Sequence, residues 1–177
     1  MSRSPLGRSI VFSVLLLVAM AIGCKANKPS PYVTKFKFMP PAHTAELRVD
    51  QPYANTAPAA TVTTTIGGVR NDENDSGIPS SIEVRITVDN RGPGVVSIDP
   101  GSLDLHAGST LEFPPPQTEP SSTLVVQPSS SRTLMAYFPF PRGETYDTTK
   151  LKEVRVTYVA KLDDRSFPQT AVFNYLP

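Results

Sequence analysis

SIEVRITVDN, residues 81–90, is the stretch on which the fold turns. Ile82, Val84, Ile86 and Val88 fall on one side of an extended chain, and Glu83, Arg85, Thr87 and Asp89 on the other. A repeat of two is the mark of a strand with one face in a core and the other in water. Burying the four apolar side chains contributes roughly 1.5–3 kcal/mol each. The segment Asn90-Arg91-Gly92-Pro93-Gly94 then forces a tight turn, since Gly admits backbone angles that other residues avoid and Pro donates no ladder hydrogen bond.

Downstream, Val95–Ile98 and Leu103–His106 read as short strands split by Asp99-Pro100-Gly101. Pro114–Pro116 opens a polyproline-like stretch, and such a run supplies no N–H to a sheet. Thr123–Gln127 and Thr133–Phe138 are two further strands, separated by Pro128 and Ser129–Ser131. Gly143–Thr149 is a loop. Leu151–Leu162 is a second long strand, with Val154, Val156, Tyr158 and Ala160 on one face. Asp163-Asp164-Arg165-Ser166 is the hairpin turn into a last strand, Gln169–Tyr175. Upstream, Arg70–Pro79 is a polar, acidic loop, and Thr61–Ile66 is expected as an edge strand open to a partner strand. Gln51–Ala60 is a loop, Ala45–Val49 a weak strand, and Tyr32–Met39 a strand that sets Phe36 and Phe38 opposite Lys35 and Lys37.

Eight to ten strands with no convincing helix, and frequent turn signals, specify an all-β antiparallel β-sandwich over residues 32–177. From Ile82 onward the pattern resembles the Ig-like or telokin-like domains carried by many bacterial lipoproteins. The chain has one Cys and no Trp, so it lacks the cysteine pair and core tryptophan of antibody-type domains. Composition agrees with an all-β body: 19 prolines in 177 residues exclude a helical bundle. Seventeen basic residues against sixteen acidic leave no charge excess with which to attract nucleic acid.

The N-terminus differs from the rest. Arg3 and Arg8 precede an apolar run, Ile10–Ile22, interrupted only by Ser13. As a helix this run rises about 20 Å, short of the roughly 30 Å hydrocarbon core of a bilayer. It reads as a signal-peptide h-region over residues 1–23. The single cysteine closes it in Ala21-Ile22-Gly23-Cys24. This resembles the lipobox of bacterial lipoproteins, with Ala21 where such boxes usually carry Leu. The resemblance implies diacylglycerol transfer to the Cys24 sulfur, cleavage after Gly23 and acylation of the new amino terminus. Two or three acyl chains anchor stably where one does not, at about 0.8 kcal/mol per buried CH₂. Residues 24–31 become the lipid-anchored tether. Lys25 after the cysteine implies, by the same resemblance, no inner-membrane retention and an outer-membrane anchor facing the periplasm. Ala19-Met20-Ala21 is also an A-x-A cleavage site, and its use would release a soluble secreted protein with a free thiol.

Candidate chemistry is sparse. Asp72, Asn74, Ser76 and Glu83 have the spacing of a calcium loop, D-x-N-x-S-G-x₅-E. Pro79 at the usually aliphatic eighth position and a strand under Glu83 argue for a solvated acidic loop instead. His43 and His106 lie far apart, and no G-x-S-x-G, S-x-x-K, H-E-x-x-H or phosphate loop occurs. Asp163-Asp164 is better explained by the turn than by acid–base work. Tyr137, Phe138 and Phe140 alternate with Pro139 and Pro141. Two adjacent aromatics cannot share a sheet face, which makes Tyr137 and Phe140 candidate partner contacts. The expectation is a lipid-anchored, extracytoplasmic binding or structural module of the bacterial cell envelope, with no cofactor. Its partners would be the membrane and an envelope protein or cell-wall component. Competing expectations are a soluble or calcium-stabilised adhesion-like module, and an enzyme of unrecognised type in which His106 or His43 meets a carboxylate in a deep pocket.

Overall fold

In the computed structural model the described residues are 37–49, 57–71, 79–108, 111–141 and 151–176. They form twelve strands and one single-turn 3₁₀ helix. The signal-peptide and tether readings, and Cys24 with them, lie outside these residues.

The five-stranded sheet has the order β2-β3-β4-β10-β8. Its strands are β2 (His43–Leu47), β3 (Ala60–Asn71), β4 (Pro79–Asn90), β8 (Gln117–Glu119) and β10 (Ser130–Pro139). The seven-stranded sheet is built on β11 (Glu153–Leu162), which pairs with β12 (Arg165–Leu176) along one side. Along its other side β5 (Val96–Ile98) and β6 (Asp104–Ala107) lie end to end. β1 (Lys37–Met39) extends this sheet beyond β12, β9 (Leu124–Val126) beyond β5, and β7 (Leu111–Glu112) beyond β6. Every pairing is antiparallel.

The period-2 pattern sets the core. Ile82, Val84, Ile86 and Val88 of β4 are fully buried, as are Val154, Val156 and Ala160 of β11. Leu134, Ala136 and Phe138 of β10 and Phe173 of β12 pack with them. The chain is thus an antiparallel β-sandwich: each sheet hides its apolar face against the other. A buried polar contact crosses between the sheets in a 2.9 Å hydrogen bond between the hydroxyls of Thr64 on β3 and Tyr158 on β11.

The turns are held by side-chain hydrogen bonds, and the one between β4 and β5 carries the chain from one sheet to the other. Between β4 and β5 the Asn90–Gly94 turn is held by the fully buried Asn90. Its amide nitrogen donates to the carbonyls of Gly94 (2.8 Å) and Val126 (3.0 Å), and its Oδ1 accepts from the Gly92 N–H at 3.2 Å. Asp99 caps the Pro100–Ser102 turn by accepting from the Gly101 N–H at 3.0 Å. β11 and β12 join through the two-residue turn Asp163-Asp164, with Asp163 at φ 50°. Its carboxylate accepts from the Val95 N–H at 2.8 Å.

The strand expectations are corrected in three places. Thr61–Ile66 is no edge: it belongs to β3, which is paired with β2 on one side and β4 on the other. A partner strand therefore has no access there. Four strands also run further than expected: β3 to Asn71, β4 from Pro79, β10 from Ser130 within the expected serine loop, and β12 from Arg165 within the expected hairpin turn. A bulge between Ile66 and Gly68 shifts the register and interrupts the pattern. Finally, β7 and β8 are additional, being too short to show a period. β8 begins directly after Pro114–Pro116 and lies at a sheet edge, where neighbouring prolines are tolerated.

Candidate functional site

The outer face of the seven-stranded sheet carries a mixed histidine and carboxylate cluster. β6 alternates, burying Leu105 and Ala107 and turning Asp104 and His106 outward. Side chains two apart on a strand share a face and stand roughly 6.6 Å apart at the backbone. His106 Nε2 reaches Asp104 Oδ2 at 2.7 Å. β7 folds back on β6 with Glu112 directly opposite His106. One ligand-capable atom from each of Asp104, His106 and Glu112 lies within 4.8 Å of the others. On the other flank, Arg155 of β11 is paired with His106 in register, and its guanidinium donates to Glu153 at 2.9 Å. The hairpin frame is pinned at both ends. The Gly108 N–H donates to the Glu153 carbonyl at 2.7 Å, and the Phe113 N–H to the Leu105 carbonyl at 3.0 Å.

A second polar group lies on the outer face of the five-stranded sheet. Tyr137 stands opposite Glu83 in the β10–β4 pair, and Arg70 of β3 lies 5.0 Å from the centre of its ring. Burial raises the Tyr137 hydroxyl above its ordinary value. The negative charges of Glu119 and Glu83 add to this, while Arg70 and Arg85 oppose it. Glu83 faces outward yet is 1% exposed, because the β3 bulge closes over it and Arg85 Nε donates to its Oε1 at 2.5 Å. Of the calcium-loop candidates only Glu83 is described; Asp72, Asn74 and Ser76 lie outside the described residues. Phe140 packs on the core, edge-on to Phe113 with ring centres 5.2 Å apart. Of the two candidate contact aromatics, Tyr137 is thus the one on an outer face.

His43 lies on β2 and His106 on β6, in different sheets. His106 does meet a carboxylate, but on an open sheet face. A cleft of about 470 Å³ at one end of the sandwich is lined by Val49, Ala59, Gly92 and Leu162, with Arg48 and Arg91 at its rim. Both arginines are engaged, Arg48 by Glu46 and Arg91 by Asp89. Sequence reasoning passed over both Asp104 and Glu112. Asp104 stands two residues before His106 on the same strand, and Glu112 reaches them only through a hairpin whose second strand is two residues long.

No protein-family model and no curated protein matches this chain. Among solved structures it is similar to a FixG-related protein from Vibrio parahaemolyticus. The identity is 11%, over 67% of this chain and 97% of that one, with a TM-score of 0.39. It is also similar to the GAE domain of GGA2p from Saccharomyces cerevisiae. There the identity is 15%, over 75% of this chain and 97% of that one, with a TM-score of 0.34.

Proposed function

We propose that the chain is a membrane-tethered binding module, a β-sandwich held outside the cytoplasm by lipid on Cys24. The observation that carries this reading is the position of the single cysteine. It closes the apolar run at residues 10–22 and stands thirteen residues before the first described strand at Lys37. A tether of this length spans at most roughly 45 Å when extended, so the sandwich works close to the bilayer surface. Its task is capture rather than bond-making, and Tyr137 with Arg70 is the aromatic and cationic pair best suited to contact an envelope partner.

The test is fractionation and intact-mass analysis of the native protein and a Cys24→Ser variant. Native protein is expected in the membrane fraction, with a mass that shows cleavage after Gly23 and added acyl chains. The variant is expected in the soluble fraction or unprocessed. An unmodified Cys24 in native material overturns the anchor. For the capture surface, crosslinking in the membrane should recover a partner with the native protein and several-fold less with Tyr137→Ala.

A further inference from the structure

We infer that Asp104, His106 and Glu112 bind a zinc-class divalent cation on the outer face of the seven-stranded sheet. Five ion pairs between described residues join an acid to a base two positions later on the same strand or strand end. They are Glu46–Arg48, Glu83–Arg85, Asp89–Arg91, Asp104–His106 and Glu153–Arg155. In four of them the base is arginine, which always carries its charge and ligates no metal. Only at residue 106 is it an imidazole, whose neutral form is a metal ligand. There, too, a second carboxylate, Glu112, stands directly across the ladder. Two acids thus converge on one imidazole, and the arginine on the far flank is already bonded to Glu153.

The geometry suits one ion. Bonds of about 2.0–2.1 Å in a tetrahedron put ligand atoms roughly 3.4 Å apart. The Asp104–His106 contact at 2.7 Å has to open slightly, and Glu112, already within 4.8 Å of both, has to settle at the same spacing. Both are rotamer adjustments of side chains on a solvated face, while the two strands beneath are held by the backbone bonds of Gly108 and Phe113. A nitrogen and two oxygens favour zinc over calcium or magnesium, which prefer larger all-oxygen shells. Three protein ligands leave the fourth position open. Bound metal would tie the β6–β7 hairpin together and offer that position to water or to an incoming donor.

The test is calorimetric titration of ZnCl₂ into the full chain carrying Cys24→Ser, so that the thiol supplies no ligand and the outcome is independent of the anchor. One equivalent is expected to bind and to raise the thermal midpoint. His106→Arg recreates the pair found at the other four positions; it should fold as the parent does and lose binding by more than about tenfold. Glu112→Gln should weaken binding comparably, and His43→Ala should leave it unchanged. Absence of binding by the parent overturns the site, as does binding retained in His106→Arg or lost in His43→Ala.

Discussion

At the residue scale, two buried polar side chains join the sheets. Tyr158 is buried on β11, and its hydroxyl meets Thr64 at 2.9 Å. Tyr158→Phe removes that bond and leaves the fully buried Thr64 hydroxyl without it, so a loss of about 1–2 kcal/mol is expected in urea unfolding. Burial holds the Tyr158 hydroxyl above its ordinary value, with the Thr64 bond opposing. The folded state therefore keeps this proton at a pH where the unfolded chain releases it. That stability is complete below about pH 10 and is lost as pH rises through the folded value. The advantage of the parent over Tyr158→Phe should accordingly hold up to about pH 10 and shrink above it. Asn90 works through opposite polarity at its two ends. Asn90→Asp would aim a carboxylate at the carbonyls of Gly94 and Val126, which now accept from its amide. A loss of about 3 kcal/mol or more is expected, read as a lower thermal midpoint.

At the element scale, the bulge in β3 covers the buried carboxylate of Glu83. Gly68 there has φ 146°, and a Cβ on Gly67 would come within 2.5 Å of Glu83 Oε1. Gly67→Ala must displace the carboxylate from Arg85 or open the bulge. It should cost about 1–3 kcal/mol, and the double variant Gly67→Ala/Glu83→Ala should recover part of that loss. The same bulge explains what could and could not be read from the chain. β4 and β11 were legible because an unbroken period of two buries one face of each. β3 was legible only to Ile66, because the Gly67-Gly68 step breaks the period and resembles the end of a strand. Its interior position was hidden as well, since strand order depends on partners distant in sequence. The cluster around His106 went unread: Asp104 and His106 carry an i, i+2 spacing, but their meeting with Glu112 depends on strand pairing. The Tyr137 face was legible, because alternation forbids Tyr137 and Phe138 from sharing one.

At the scale of the whole molecule, the apolar layer between the sheets carries the stability and the charges do little of that work. Each ion pair between described residues links neighbours on one strand or strand end, and none bridges the two sheets. At Glu46–Arg48, Arg91–Asp89 and Arg155–Glu153 both side chains are more than a third exposed, and pairs of that kind contribute about 0–1 kcal/mol. Tyr158–Thr64 and Asn90 cross between the sheets without a charge. Screening should therefore leave the fold almost untouched, because at 1 M salt the Debye length falls to about 3 Å and what it screens is local. Raising NaCl from 0.05 to 1 M is expected to move the thermal midpoint by no more than about 3 °C, which corresponds to under about 1 kcal/mol for a domain of this size. Leu134→Ala, which opens a cavity between the sheets, should instead cost about 2–5 kcal/mol at either salt concentration. A midpoint that falls by about 10 °C in high salt would show that charge, and not the layer of Ile, Val, Leu and Phe, holds the sheets together.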